Sequence, residues 1–453
     1  LATVPADCTA VLDAPPGTSC PVIASVKNAD VVVLVTEPTP FGLNDLKLAV
    51  DMVRVLGLPF GVAVNRAGVG DTSVHAYCAQ EKIPIVLEIP NDRAIAIAYS
   101  RGELAVNALP QLRPVFLSLY ERLLSLASMP CDCVAVGDRS VVDVPVEPVP
   151  SPSDTVKLGK RTNVAELVVV SGKGGTGKTS IVASLASLAA QVAIADCDVD
   201  AADLHLVLGP SLRHQWAFSA GKTAVIDDKR CHGCGLCAAS CRFGAIHVRN
   251  GTYQIDAISC EGCGVCVDLC PDKAIALFSE VNGQWFVSDT RHGPMTHARL
   301  GIAQENSGKL VSLVRRESKA IAVSEGLGRL ICDGSPGIGC SVIASVAGAR
   351  LVLVVTEPTL SALHDMKRVV ELTRQFRTRT AICINKADIN LALTDQIEKE
   401  AENLGVPVLG RIRYDEAVIA AQVNEMSVVE FGDGVAATDI RALWSRVKNE
   451  LES

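Results

Sequence analysis

Short apolar runs rich in Val, Ile and Ala alternate with longer stretches of mixed character through the last two-thirds of the chain. The runs at 166–171, 192–196, 329–333, 350–355, 380–385 and 407–410 read as strands. Between them, 178–190, 340–347, 361–375, 392–404, 415–424 and 438–451 read as amphipathic helices. Apolar strands alternating with helices predict an α/β fold, a doubly wound and mainly parallel sheet covered on both faces. Ligands of such sheets bind at the carboxyl ends of the strands. The first 128 residues show the same rhythm for four strands only, near 10–13, 31–35, 60–65 and 84–87.

The rhythm recurs because the sequence recurs. "VLDAPPGTSCPVIASV" (11–26) matches "ICDGSPGIGCSVIASV" (331–346), and "VTEPTPFGLNDLK" (35–47) matches "VTEPTLSALHDMK" (355–367). Asp13 pairs with Asp333, Cys20 with Cys340, Asp45 with Asp365 and Asn65 with Asn385, each 320 positions apart. Further on, "IPIVLEIPNDRA" (83–94) matches "VPVLGRIRYDEA" (406–417) at a shift of 323. The expected organisation is a partial first copy (1–128), a Pro-, Ser- and Val-rich linker (129–160) and a complete second copy (161–453). The first copy lacks the two N-terminal strands, so it is incomplete unless another segment fills the gap. The amphipathic C-terminus (438–453) has a mid-chain counterpart at 109–126, which favours a core helix over a membrane anchor.

Composition narrows the function. The net charge of −8 argues against a generic nucleic-acid surface, and no apolar run reaches the length of a membrane span. No secretory signal pattern opens the chain, which begins at Leu1 rather than Met and so suggests a part upstream. Of 17 cysteines, eight fall within 231–270. Without a signal peptide, that density predicts metal ligation in a reducing, cytoplasmic setting rather than disulfides.

Two motifs carry chemistry. Gly172-Lys173-Gly174-Gly175-Thr176-Gly177-Lys178-Thr179-Ser180 follows a strand and opens a helix, the context a phosphate-binding loop requires. Its glycines let backbone N–H groups wrap phosphate oxygens; Lys178 would contact the β- and γ-phosphates and the Thr179 hydroxyl would hold Mg²⁺. The second motif is Cys231-x-x-Cys234-x-x-Cys237-x-x-x-Cys241 followed by Cys260-x-x-Cys263-x-x-Cys266-x-x-x-Cys270-Pro271. This is the bacterial two-cluster ferredoxin pattern, in which the fourth cysteine of each run crosses to the other cluster. One [4Fe-4S] cluster would use Cys231, Cys234, Cys237 and Cys270, the other Cys260, Cys263, Cys266 and Cys241. Four thiolates also suit zinc, although two interleaved runs do not resemble a zinc ribbon. Arg242 stands where the pattern usually has proline.

The extra lysine at 173 makes the loop resemble the deviant phosphate loop of the MinD, ParA and nitrogenase-iron-protein class of ATPases. That resemblance continues through "ADCDVDAADLHLVLG" (195–209), "CDGSPG" (332–337), "TRHGPMTHARLGIAQENSGKLV" (290–311) and "INKAD" (384–388). It implies that Lys173 reaches across a dimer and that Asp198 orients the attacking water, with Asp196 and Asp200 near the metal. It further implies that Asp333 and Gly337 form the Mg²⁺- and γ-phosphate-sensing switch and that Asn385 contacts adenine. Glu305, Asn306 and Lys309 would make at most switch contacts. The cysteine runs then mark a ferredoxin-like insert, about 215–285, between the acidic motif and the switch. Cys20 and Cys340, at switch spacing, raise the idea of a bridging cluster, with inert thiols the plainer reading. Cys131 and Cys133 lie in the linker, and Cys8, Cys78, Cys197, Cys332 and Cys383 read as structural. The implied cofactors are ATP, Mg²⁺ and two [4Fe-4S] clusters. The implied partners are a redox protein or an apo-acceptor, through a dimer or an intrachain pseudo-dimer. Three functions compete in this order: ATP-driven electron transfer, assembly or carriage of iron–sulfur or mixed-metal clusters as in the Mrp relatives, and ParA-type positioning.

Overall fold

The computed structural model describes residues 8–18, 20–127, 151–156, 164–249, 251–256, 260–301 and 306–453. The linker cysteines Cys131 and Cys133, and Glu305, lie outside them. In the first part, β1 (Val32–Thr36), β2 (Phe60–Ala67) and β3 (Ile85–Pro90) form a three-stranded parallel sheet. The rest contributes β4 (Ala165–Ser171), β5 (Val192–Asp196), β6 (Ser211–Phe218), β7 (Gly221–Ile226), β8 (Ile246–Arg249), β9 (Thr252–Ile255), β10 (Ile275–Glu280), β11 (Gly283–Thr290), β12 (Gly293–Leu300), β13 (Arg329–Pro336), β14 (Leu351–Thr356), β15 (Thr380–Asn385) and β16 (Val408–Ile412).

Nine of these form one sheet in the order β16-β15-β14-β4-β13-β5-β12-β11-β6, parallel from β16 to β12 and antiparallel at β11. All six expected strands of this part are present. β14 (LVLVVT) is buried at every position, as a strand covered on both faces must be. One face packs on the phosphate-loop helix Lys178–Leu188 and the C-terminal helix Val435–Glu452; the other packs on helices Ser307–Ser324 and Leu360–Gln375. The C-terminal helix buries Ile440, Leu443, Val447 and Leu451 at helical spacing, each worth about 1.5–3 kcal/mol, and is a core helix as expected. Among the described residues no helix is long and apolar enough to cross a membrane.

The structure departs from the pattern in two places. Residues 10–13 were expected as a strand but are irregular, with Val11 91% and Leu12 52% exposed. Their counterpart, β13, lies between β4 and β5 and never touches β14. Without partners equivalent to β4 and β5, residues 10–13 have no ladder to join. The second departure is β6, β11 and β12, which extend the main sheet. Residues 215–218 and 283–285, expected inside the cysteine insert, hydrogen-bond into this sheet instead. Their sequences, such as SLRHQWAF, are polar enough to hide an antiparallel edge.

Between β6 and β11 sits a small unit with its own core. β7 pairs antiparallel with β10, β8 with β9, and helices Leu236–Ser240 and Val265–Leu269 carry the central cysteines. Ala224, Cys237, Ile246 and Ile275 are its buried centre.

Candidate functional site

β4 runs into the glycine-rich loop, and the helix Lys178–Leu188 begins at its end, with Gly177 as the left-handed cap (φ 86°). A Cβ at Gly177 would come within 2.4 Å of Asn385 Nδ2, so this position excludes side chains by backbone and by space. The Asn385 amide donates to the Thr176 carbonyl (2.7 Å), its Oδ1 accepts from the Lys386 N–H, and Lys386 Nζ donates to the Gly175 carbonyl (3.2 Å). Expected to contact adenine, Asn385 thus has its amide committed to bracing the loop. Gly337 N–H donates to the Ser171 carbonyl (2.8 Å), tying the segment expected to be the switch to the same strand end. Gly172, Gly174, Gly175, Thr179 and Ser180 all line a cavity of about 1690 Å³ at the carboxyl edge of the sheet.

Lys178 is almost wholly buried, its Nζ 3.3 Å from Asp198 Oδ2 and 3.2 Å from Asp333 Oδ1. Burial opposes its charge, but Asp333 and Asp198 hold it above the usual lysine range. Burial likewise pushes the Asp198 carboxyl up to about 7, with Lys178 pulling the other way. Asp196 is raised by burial and by Asp333 and Asp198. Both Asp196 oxygens accept backbone N–H groups, from Asp198 (3.2 Å) and Leu204 (3.1 Å), so it shapes the loop rather than offering a free ligand. Asp333 Oδ2 and Thr176 Oγ1 are buried without a hydrogen-bond partner. Orphaned polar atoms of this kind call for a ligand. Hydroxyl and carboxylate oxygens at Thr179, Asp198 and Asp333 are the hard donors Mg²⁺ takes, and the residues fit a Mg²⁺–nucleotide.

Lys173 does not point at the phosphate end. Its Nζ pairs with Glu357 (2.8 Å), reaches Thr359 and Ser361, and lies 5.0 Å from the ring centroid of Tyr99 in the first part of the chain. Burial opposes its charge, which Glu357 and Tyr99 sustain. Glu357 also binds Lys386 (3.1 Å). Sequence reasoning missed Glu357, Lys386, Asp203 and the place of Asp45; the signal for the first was the verbatim repetition of "TEPT". Asp45 lines the same cavity from the helix Pro40–Leu56. Burial raises its carboxyl to about 6, against Lys178. Cys340 is exposed at the cavity rim, and nothing is described of the Cys20 side chain.

All eight cysteines of the insert are free thiols, and among the described residues no group of three or more His, Cys, Asp or Glu is arranged to hold a metal ion. Neither expected ligand set is therefore drawn in as a closed shell. Burial pushes the Cys237 and Cys266 thiols up, with a smaller push from Cys231 and Cys234 on the first and from Cys260 and Cys263 on the second. Cys241, Cys260, Cys263 and Cys266, from both runs, line one cavity of about 60 Å³ together with Arg242. The two halves of the unit repeat their geometry. Ala245 N–H points at Cys241 Sγ (3.4 Å) and Ala274 N–H at Cys270 Sγ (3.3 Å). Gly235 and Gly264 cap the two short helices in left-handed conformation. The crossing of Cys241 into the second run's cavity and the N–H groups aimed at sulfur fit the residues to thiolate-held clusters.

A glycine-rich loop between a strand and a helix, a buried lysine and carboxylates at adjacent strand ends define a phosphate-loop nucleotide-binding domain. Residues 167–428 match the CobQ/CobB/MinD/ParA nucleotide binding domain, and the chain belongs to that family. It is 32% identical over 230 residues to the Uncharacterized protein MJ0578 of Methanocaldococcus jannaschii, covering 50% of this chain and 80% of that one. It is 38% identical over 93 residues to the Uncharacterized protein MJ0579 of the same organism, but covers only 31% of it and 20% of itself. Among solved structures, the MinD cell division protein of Aquifex aeolicus aligns at 17% identity and a TM-score of 0.38, over 63% of this chain and 98% of that one.

Proposed function

We propose that this ATPase-family chain binds and hydrolyses ATP and couples the nucleotide state to two [4Fe-4S] clusters in the insert, which pass electrons to a partner protein. The observation that carries the coupling is the helix Ser307–Ser324. Asn306, Ser307 and Gly308 at its start line the nucleotide cavity, and Lys309 Nζ donates to the carbonyl of Ala220 (3.2 Å), the root of the cysteine unit. A shift of this helix end is therefore felt on both sides. Residues 1–128 are read as a partial copy of the second half and 129–160 as the linker.

In this reading Lys178 neutralises β- and γ-phosphate oxygens. The Thr179 hydroxyl and the Asp333 carboxylate hold Mg²⁺, which when bound supplies charge compensation at the phosphates. Asp198, with its raised carboxyl beside Lys178, orients the attacking water and accepts its hydrogen bond. The loop N–H groups bind the terminal phosphate, and Gly337 senses it by exchanging its N–H bond to the Ser171 carbonyl for one to a phosphate oxygen. When present, the clusters supply one-electron redox chemistry; the chain's part is to hold them through the eight thiolates and to aim N–H groups at sulfur.

The test combines phosphate release with iron analysis on anaerobically prepared protein. Lys178→Ala should abolish hydrolysis. Cys266→Ser should lower bound iron from roughly eight to roughly four per chain. Colourless, iron-free wild-type protein would sink the redox reading and leave the nucleotide reading standing. Transfer of the clusters to an apo-acceptor upon ATP addition would favour the carrier reading.

A positioning ATPase is the second reading, and the family match supports it: the nucleotide-binding domain that residues 167–428 match takes in MinD and ParA. The order given to the three functions from the sequence rested on the insert alone. ATP-dependent binding to DNA or to lipid vesicles, with no iron bound, would establish positioning.

A further inference from the structure

The cavity at the phosphate loop has two walls, and the second wall comes from the first part of the same chain. Pro16 Cγ lies 3.9 Å from where a Gly174 Cβ would stand, and a Cβ on Gly17 would meet Asp200 at 3.6 Å. The loop that matches the switch of the second half thus lies against the phosphate loop and the acidic strand end. From the helix Pro40–Leu56, Asn44 Nδ2 donates to Asp203 Oδ1 (2.9 Å). Its neighbour Asp45 faces the cavity.

The contact between the halves is reciprocal. Arg66, at the end of β2, donates to the Tyr414 hydroxyl (2.9 Å), after β16. Arg93, after β3, pairs with Asp388 (3.1 Å), after β15. In the repeat register Arg66 matches Lys386, beside Asp388, and Arg93 matches Glu416, beside Tyr414. The same two regions therefore meet crosswise, the mark of a two-fold interface formed within one chain. Lys173, reaching Tyr99, lies on this seam.

We infer that the first half completes the nucleotide site in cis: the Pro16–Gly17 loop and Asn44–Asp45 close over the phosphate loop and acidic strand ends of the second half, in the place a second subunit would otherwise take. This rests on the nucleotide reading of the site. Asn44 and Asp45 are positioning residues. They hold the acidic loop around Asp203 and set the charge opposite Lys178.

The test is titration of the 453-residue chain with a fluorescent ATP analogue, with light-scattering mass measured with and without ATP. Asn44→Asp sets two carboxylates against each other and should weaken binding at least tenfold. The swap Asn44→Asp with Asp203→Asn rebuilds the hydrogen bond in the opposite sense and should return affinity to within threefold of wild type, a rescue that simple misfolding would not show. Asn44→Ala, which only deletes the amide, should weaken binding threefold to tenfold. The mass should stay at 47.6 kDa with ATP bound. Unchanged affinity in Asn44→Asp, no rescue in the swap, or ATP-driven doubling of the mass would overturn the inference. Wild-type protein that fails to bind ATP, or a Lys178→Ala variant that binds it equally well, would instead overturn the nucleotide reading beneath it, and the inference with it.

Discussion

Gly177→Ala tests the link between loop geometry and nucleotide affinity. Gly177 holds φ at 86°, and an added Cβ would sit 2.4 Å from Asn385 Nδ2. Placing an L-residue in left-handed conformation costs about 1–2 kcal/mol. Moving Asn385 aside to make room loses its hydrogen bond to Thr176, worth about 1 kcal/mol. Together these give about 2–3 kcal/mol, or roughly 30- to 150-fold weaker ATP binding. Equilibrium titration with a fluorescent nucleotide measures it, with a melting curve to show that the fold persists. Asn385→Ala alone should weaken binding about fivefold by the hydrogen-bond share. In that background Gly177→Ala should cost only the backbone share, leaving a coupling of about 1 kcal/mol. If Gly177→Ala binds ATP within threefold of wild type, or the two changes simply add, the proposed bracing of the loop is wrong.

Two further predictions concern stability. Glu166, buried at the start of β4, pairs with Arg315 (2.8 Å) and Lys319 (2.6 Å). Burial works against its charge, but Arg315 and Lys319 prevail and hold its carboxyl below the usual range. Glu166→Gln leaves Arg315 buried without its counter-charge and should cost about 3–5 kcal/mol by urea unfolding. Because the folded carboxyl titrates below the unfolded one, that contribution is complete above the unfolded value and fades as pH falls through the folded one. The acid limb of the stability curve should therefore be shallower in the variant. Leu443→Ala, at a wholly buried site on the C-terminal helix, should cost about 2–5 kcal/mol in the same assay, while a loss under 1 kcal/mol would contradict its core position.

Local chemistry made much of this protein legible before any fold was drawn. The phosphate loop announces itself because glycine, lysine and threonine at fixed offsets act within one turn. The strands β4, β5, β13, β14, β15 and β16 announce themselves because burial on both faces demands unbroken apolar runs. The doubled cysteine runs show themselves by spacing, and the repeat by identity between the halves. The rest depended on neighbours. Residues 10–13 keep the composition of a strand yet form none, since a strand exists only with a ladder partner. β6 is the edge strand of the antiparallel end of the sheet, beyond β12 and β11, and there polar side chains are tolerated and the apolar signal fades. Asn385 and Lys173 carry the residue types of nucleotide contacts, but packing turns one to the loop backbone and the other to Glu357 and Tyr99. Asp45 reaches the phosphate-loop cavity, and Asn44 the acidic loop at Asp203, from well over a hundred residues away, and only the crosswise docking of the two halves brings them there. Spacing along a chain encodes groups that act within a few residues of each other; which distant groups share one low-dielectric cavity is settled by packing.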